Sequence, residues 1–218
     1  MTKHEGAPLL IATNNKGKIQ DLQELLEDLG INLLMPEQIG VDLDVIEDGR
    51  TYAENAAKKA LAFAHASGLI SLADDSGLEV DILGGAPGVY SARYGAENGR
   101  KLTDTERCTF LIQNLQGKPR PWAARFHATI AIAIPPHYQG NVILKEAKDL
   151  YIAEGICEGE IIPEERGTGG FGYDPIFLLP ELGKTMAELS MEEKNRLSHR
   201  ARAVMNAKPI LEQIYKSN

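Results

Sequence analysis

Two adjacent aspartates pose the first chemical question in this chain. The apolar approach of Leu69, Ile70, Leu72 and Ala73 runs into Asp74 and Asp75, and Ser76 and Gly77 follow. Like charges side by side at a strand end repel each other. A turn made only for topology is met more cheaply by one Asp followed by Gly. Asp, Ser and Gly are also ordinary turn formers. The stretch alone therefore reads either as a DDSG turn or as a carboxylate site for a metal or a water.

Three further segments carry groups that could complete such a site. TNNKGK, residues 13–18, stands at a strand-to-helix junction. The free N–H groups and partial positive charge of a helix N-terminus suit phosphate, Thr13, Asn14 and Asn15 add donors, and Lys16 and Lys18 add full charges around Gly17. The same residues also fit a plain helix cap followed by solvated lysines. They are not a P-loop, because GxxxxGK[ST] is absent. GTGGFGYDP, residues 167–175, satisfies the letter of GxGxxG, but a dinucleotide loop must open a helix. Here Asp174 and Pro175 lead into IFLL, an expected strand, so that reading is rejected. A glycine-dense loop with Phe171 and Tyr173 beside Gly172 could instead bring a flat base against the backbone and stack on it; the alternative is a flexible hairpin loop. In KNRLSHR, residues 194–200, Ser198 can cap a last helix, which places His199 and Arg200 in its first turn. Basic groups are unfavourable there, and the conflict hints at an anionic or carbonyl-bearing partner.

Acidic and basic groups between these segments could finish the set. A Mg²⁺ ion takes one or two protein carboxylates, several waters and substrate phosphate oxygens. Glu47 and Asp75 could supply that pair, and Lys18 and Lys59 the charge facing phosphate. Asn55 and Lys59 lie four residues apart, on one helical face.

These groups need elements to hold them. PLLIAT (8–13) reads as a buried strand, and Ile19, Leu22, Leu25, Leu26 and Leu29 recur at helical spacing until Gly30 stops them. Strands are expected over 31–35 and over Val41 to Ile46. Thr51 and Glu54 form a capping box for a helix ended by Gly68, with small residues at 53, 57, 60 and 64 that let it lie close on a sheet. A strand over 69–73, the DDSG turn and a further strand over 78–83 come next. Thr103 and Glu106 start a helix that runs to about Leu115. In RFHATIAIAI, Phe126, Ala128, Ile130, Ile132 and Ile134 point one way and Arg125, His127 and Thr129 the other, the pattern of a half-buried strand pairing with 142–153 and 156–162. The C-terminal region is helical from the Ser190–Glu193 box, with Pro209 expected to kink or restart it. Strands alternate with helices and then cluster, which predicts a mixed-sheet α/β protein of one domain over 1–218.

The bulk numbers exclude several classes. A formal net charge of −8 over 218 residues disfavours a nonspecific nucleic-acid or membrane-surface binder, though one small basic pocket can still take a mononucleotide. Cys108 and Cys157 are isolated, with no CxxC, so they read as buried small residues of a reducing compartment. No stretch approaches the ~20 apolar residues of a membrane span, and the N-terminal apolar run is too short for a signal peptide. A cytoplasmic protein is expected.

Taken together, ATNNKGK (12–18), EDGRTYAENAAKKA (47–60), ADDSGLEVDILGGAPGVYSARYG (73–95), GTGGFGYDPIF (167–177) and GKTMAELSMEEKNRLSHR (183–200) resemble the Ham1/inosine triphosphatase-like pyrophosphatases. They stand in family order across nearly the whole chain. The resemblance implies an elongated mixed sheet with flanking helices, two lobes around a central nucleotide cleft, and a homodimer. It implies Mg²⁺-dependent hydrolysis of non-standard purine nucleoside triphosphates (ITP, dITP, XTP) to the monophosphate and pyrophosphate. By motif, Asp75 is the general base or metal-associated carboxylate, with Asp74 as its support, and Glu47 is the second Mg²⁺ ligand. Residues 13–18 bind substrate, with Thr13, Asn15 and Lys18 on the triphosphate and Ser76 completing that end beside Lys59. Phe171, Gly172, Tyr173, Asp174, Lys194, His199 and Arg200 take the base and sugar, His199 and Arg200 as donors to a purine 6-carbonyl. Two rival readings are a pyrophosphatase for pyrimidine or modified nucleotides and a nucleotide-binding module without catalysis.

Overall fold

Strand β1, Leu9–Ile11, is buried at all three residues, as its apolar run requires. The computed structural model describes residues 7–96, 100–136 and 149–215. Asn15 caps helix α1, Lys16–Leu26, by accepting from the Lys18 N–H, and Leu22, Leu25 and Leu26 form the buried face. Burying each of those leucines stabilises by about 2–3 kcal/mol. Strand β2 is only Leu33–Leu34.

The strand expected over 41–46 does not form. Residues 41–49 form no helix or strand, although Val41, Leu43 and Val45 pack on a hydrophobic cluster. The alternation there records side-chain burial on one face with no strand alongside. Helix α2, Tyr52–Ser67, starts where Thr51 accepts from the Glu54 N–H and ends at Gly68, whose φ of +68° is the left-handed cap. Its Ala56, Ala60 and Ala64 are fully buried, so the helix lies close on the sheet.

The next element corrects the expected turn. Strand β3 runs unbroken over Ile70–Val80, straight through Asp74, Asp75 and Ser76. Successive side chains of a strand point to opposite faces, so adjacency in sequence places the two carboxylates back to back. The repulsion that argued for a turn is relieved by alternation.

Helix α3, Asp104–Leu115, carries the full Thr103–Glu106 capping box. Strand β4 is Trp122–Ala133. Its half-buried alternation holds only at its start, and from Ala128 onward both faces are covered. Strand β5 is one strand, Leu150–Ile161, where two were expected; residues 142–148 of the expected first strand lie outside the described residues. Strands β6 (Phe177–Leu179) and β7 (Lys184–Thr185) follow. Helix α4, Met191–Leu197, has the Ser190–Glu193 box. Helix α5, His199–Tyr215, begins directly after Ser198 and continues through Pro209 without restarting.

The strands form one seven-stranded sheet in the order β2-β1-β3-β4-β5-β6-β7. β1 is parallel to β2 and β3, while β5–β6 and β6–β7 are antiparallel, which makes the sheet mixed as expected. The chain divides into two compact units, residues 1–75, 128–155 and 200–218 in the first and 76–127 and 156–199 in the second. The first unit has a core on each face of its sheet. Leu9, Ile11, Ile70 and Leu72 pack with α1 and α5 residues such as Leu22 and Val204, and Leu10, Ala12 and Ala73 pack with α2. The second unit has one core, in which Leu78, Val80, Phe126 and Phe177 meet Leu111 and Leu115 of α3.

Candidate active site

In the first unit the two aspartates enter different surroundings. Asp74 faces the layer of α1 and α5 and is fully buried. Its Oδ2 lies 2.7 Å from Lys18 Nζ and 3.4 Å from Arg200 Nη2, and Asp21 Oδ2 holds the other end of that guanidinium at 2.7 Å. Burial alone pushes the Asp74 carboxyl up, but Arg200 and Lys18 outweigh it and hold the group well below the usual carboxylate range. Asp74 is therefore a fixed anion.

Asp75 faces α2. Asn55 donates to its Oδ2 at 3.2 Å, and Lys59 Nζ stands 3.5 Å from its Oδ1. Burial dominates here and raises the Asp75 carboxyl above its ordinary value; Lys59 and Lys18 offset this only in part, and Glu47 and Asp74 add to it. Two neighbouring carboxylates thus acquire opposite proton affinities because a strand sends them to opposite faces. That is the pattern expected of a support and a reacting group.

Lys59 ties the second group together. Its Nζ is 2.6 Å from Glu47 Oε1 and 2.9 Å from the Asp74 main-chain carbonyl, besides its approach to Asp75. Burial pulls the Lys59 amine down, but Asp75 and Glu47 carry it above its ordinary value. Lys18 also donates to the Asp74 carbonyl, at 3.3 Å, so one backbone oxygen receives an ammonium group from each helix layer. Burial lowers the Lys18 amine more than Asp74 raises it. At the start of α1, Thr13 Oγ1 accepts from the Asn15 N–H and the Asn15 side chain is the helix cap, while Asn14 and Lys16 are exposed. Lys18, Glu47, Lys59 and Asp75, expected to act together, are brought together.

Among the described residues no three His, Cys, Asp or Glu side chains cluster as a metal cage. A Mg²⁺ site does not need one. Glu47 and Asp75 both reach the single ammonium of Lys59, so two hard oxygen donors already converge on one cation-sized position. The residues fit a hard divalent ion.

The second unit holds the glycine loop. Asp174 is buried, and its Oδ2 accepts from the Phe171 N–H at 3.1 Å and from Lys194 Nζ at 2.8 Å. Gly170 (φ +76°) leaves room for that carboxylate, because a Cβ there would stand 1.9 Å from Asp174 Oδ2. Tyr173 is only 4% exposed and donates its hydroxyl to the Ser91 carbonyl at 2.9 Å. Of the expected aromatic pair, Phe171 is the ring that keeps exposed surface, and Lys194 Nζ lies 5.9 Å from its centroid. His199 stacks on Phe126 with ring centroids 4.7 Å apart. The loop is built rather than loose.

Sequence reasoning gave no role to three residues. Asp104 accepts from the Gly172 N–H at 2.6 Å and Cys108 Sγ donates to the Gly172 carbonyl at 3.4 Å, although both lie outside the recognised motifs. Asp21 clamps Arg200 from one turn along α1 beyond Lys18, and only its helical position could have pointed to it. Arg200 itself sits in the first turn of α5, as expected, with the dipole conflict relieved by the two aspartates.

Known proteins resemble this chain over most of its length. The Ham1 family model matches residues 9–210. A dITP/XTP pyrophosphatase of Desulforamulus reducens is 48% identical, covering 95% of this chain and 96% of its own length. One from Gloeobacter violaceus is 50% identical over 90% of each chain. Among solved structures, a HAM1 protein from Coxiella burnetii matches with a TM-score of 0.81 and 38% identity over 95% of this chain and 99% of that one. The Staphylococcus aureus Ham1 protein matches at 0.78, also with 38% identity, over 94% and 98%. With the family model covering most of its length and relatives of this identity at near-full coverage, the chain belongs to the Ham1 family.

Proposed function

We propose that this protein is a nucleoside triphosphate pyrophosphohydrolase that converts ITP, dITP and XTP, with one water, to the nucleoside monophosphate and pyrophosphate. The relatives' activity on dITP and XTP supports the substrate class. The observation that carries the reading is Asp75. It is a nearly buried carboxyl with raised proton affinity, set between Glu47, Lys59 and Asn55 with Lys18 nearby.

Glu47 and Asp75 would hold Mg²⁺, which when bound supplies charge neutralisation at phosphate oxygens and a more acidic water. The chain's own groups do the rest. Lys18, Lys59 and the first amides of α1 face the charge of the triphosphate. Asp75 orients the attacking water and accepts its proton, a role its upward shift suits. Thr13, Asn14, Asn15, Lys16, Gly17 and Ser76 complete the triphosphate end in this proposal. For the nucleoside, Phe171 offers the stacking face, Gly172, Tyr173, Asp174 and Lys194 shape the loop, and His199 and Arg200 donate to a purine 6-carbonyl. Adenine presents an amino donor at that position and mismatches them, so ITP should be preferred over ATP by at least about 10²-fold in kcat/KM. By the same resemblance the protein is a homodimer, and in this proposal it works in the cytoplasm, the compartment expected from its isolated cysteines.

Turnover of ITP, XTP, dUTP and ATP with Mg²⁺, read by anion-exchange chromatography, tests the reading. It requires IMP and pyrophosphate from ITP and silence in EDTA. Release of orthophosphate first, in the absence of any contaminating pyrophosphatase, overturns it. Arg200→Ala separates two roles. A narrowed ITP/ATP ratio makes Arg200 a base reader, whereas an equal loss on both substrates makes it only the clamp of Asp74.

A further inference from the structure

We propose that Asn55 is a positioning residue that acts through Asp75, fixing that carboxylate against the segment that carries Glu47. The inference rests on the Glu47–Asp75 reading above and adds to it a residue that touches neither phosphate nor base.

Asn55 is fully buried on α2. Its Oδ1 accepts from the Gly49 N–H at 2.8 Å, and its Nδ2 donates to Asp75 Oδ2 at 3.2 Å. The orientation of the amide is forced, because a backbone N–H can only donate and a carboxylate needs a donor. One planar group of fixed length therefore spans the gap between the segment two residues beyond Glu47 and the reacting carboxylate. The bond it gives to Oδ2 leaves Oδ1 as the oxygen facing Lys59.

A second observation comes from that segment. Gly49 approaches the amide so closely that a Cβ there would lie 2.6 Å from Asn55 Oδ1 and 2.8 Å from Glu54 Cβ. The next amide is held in the same way, since the Arg50 N–H donates to Glu54 Oε2 at 2.6 Å. Consecutive backbone amides of the segment are thus stapled to consecutive side chains of α2. That places Glu47 at a set distance from a helix that also carries Lys59. Groups that orient the ligands of a metal typically change metal affinity or activity by roughly 10- to 100-fold when removed.

The test is a double-mutant cycle on the full-length protein, with Asn55→Ala, Asp75→Asn and the pair, assayed on ITP with Mg²⁺ under single-turnover conditions. Asn55→Ala is expected to lower kcat by roughly 10- to 100-fold with KM within about threefold. In the Asp75→Asn background the same change is expected to cost nothing further, because its route to the chemistry is already gone. Mn²⁺ titration followed by electron paramagnetic resonance, without nucleotide, is expected to show weaker binding in Asn55→Ala by a similar factor. Gly49→Ala approaches the same link from the segment and is expected to reproduce the kcat loss if Asn55→Ala does not fold. Equal losses in both backgrounds, or unchanged kcat and Mn²⁺ affinity, overturn the positioning role while leaving Asp75 in place. A wild-type protein that does not hydrolyse ITP, or an Asp75→Asn protein that does so normally, overturns the underlying reading instead.

Discussion

The two units hold their candidate site groups by different means. In the first, Lys18, Lys59, Asp74, Asp75 and Arg200 are charged side chains drawn into a sheet covered on both faces, and each is fixed by another charge. In the second, the loop around Gly170 and Gly172 is fixed largely through its backbone, by Asp104, Cys108 and Asp174. A buried charge network is sensitive to which charge is removed, because the survivors are left in a low dielectric. A backbone-clamped loop is sensitive to shape. Electrostatic substitutions should therefore break the first unit's role, and added volume the second's.

Asp75→Asn should have the largest effect, a fall in kcat of roughly 10²- to 10⁴-fold with the fold retained, as for loss of a positioned base. Steady-state assay beside a circular dichroism spectrum checks this, and near-normal kcat in a folded protein would remove Asp75 from the chemistry.

Asp74→Ala should instead act on stability, by about 3–5 kcal/mol, since it strips Lys18 and Arg200 of a buried partner. Because the folded-state carboxyl is held low, this contribution is complete above the ordinary carboxylate pKa of about 3.9 and fades as pH falls below it. Urea midpoints at pH 7, 5 and 3 should show a wide gap between wild type and variant at the first two values and a narrowing one at the third. A constant gap would assign the effect to packing.

Gly170→Ala tests the second unit. Its Cβ would displace the Asp174 carboxylate, and a shift of that order should raise KM for ITP by about tenfold or more while kcat changes far less. Gly172→Ala meets no atom within 4 Å and only the strain of φ +64°, so its effect should be smaller, near 1 kcal/mol of stability. If the two behave alike, the clamp at Asp174 is not what shapes the loop.

The smallest effect concerns Cys108. Burial pushes its thiol up to about 12, so iodoacetamide at pH 8 should leave it unlabelled in the folded protein. Labelling at the rate of a free thiol would show that the α3–Gly172 contact opens.

Much of this was readable in the chain. Thr103 with Glu106 and Ser190 with Glu193 mark helix starts by local chemistry that needs no distant partner, and the mixed sheet followed from the order of the segments. The course of β3 was not readable, because the groups that make Asp74 tolerable in a strand lie 56 and 126 residues away. Val41 to Ile46 misled for the converse reason: alternation reports burial on one face, and nothing local says whether a strand will lie alongside. The set Lys18, Glu47, Lys59 and Asp75 was legible from residue type and motif. Asn55 was legible only as a neighbour of Lys59 on one helical face, without its bonds to Gly49 and Asp75, and Asp21 and Asp104 were not legible, since their contacts are made through another side chain or the backbone.

The carbonyl of Asp74 sits where Lys18 and Lys59 meet, and it belongs to the main chain. No codon change at position 74 deletes it. A library randomised there would sample the charge balance around Arg200 freely, yet every folded member would inherit the oxygen shared by the two ammonium groups. Part of this centre is thus transmitted by the path of the backbone, beyond the reach of point mutation.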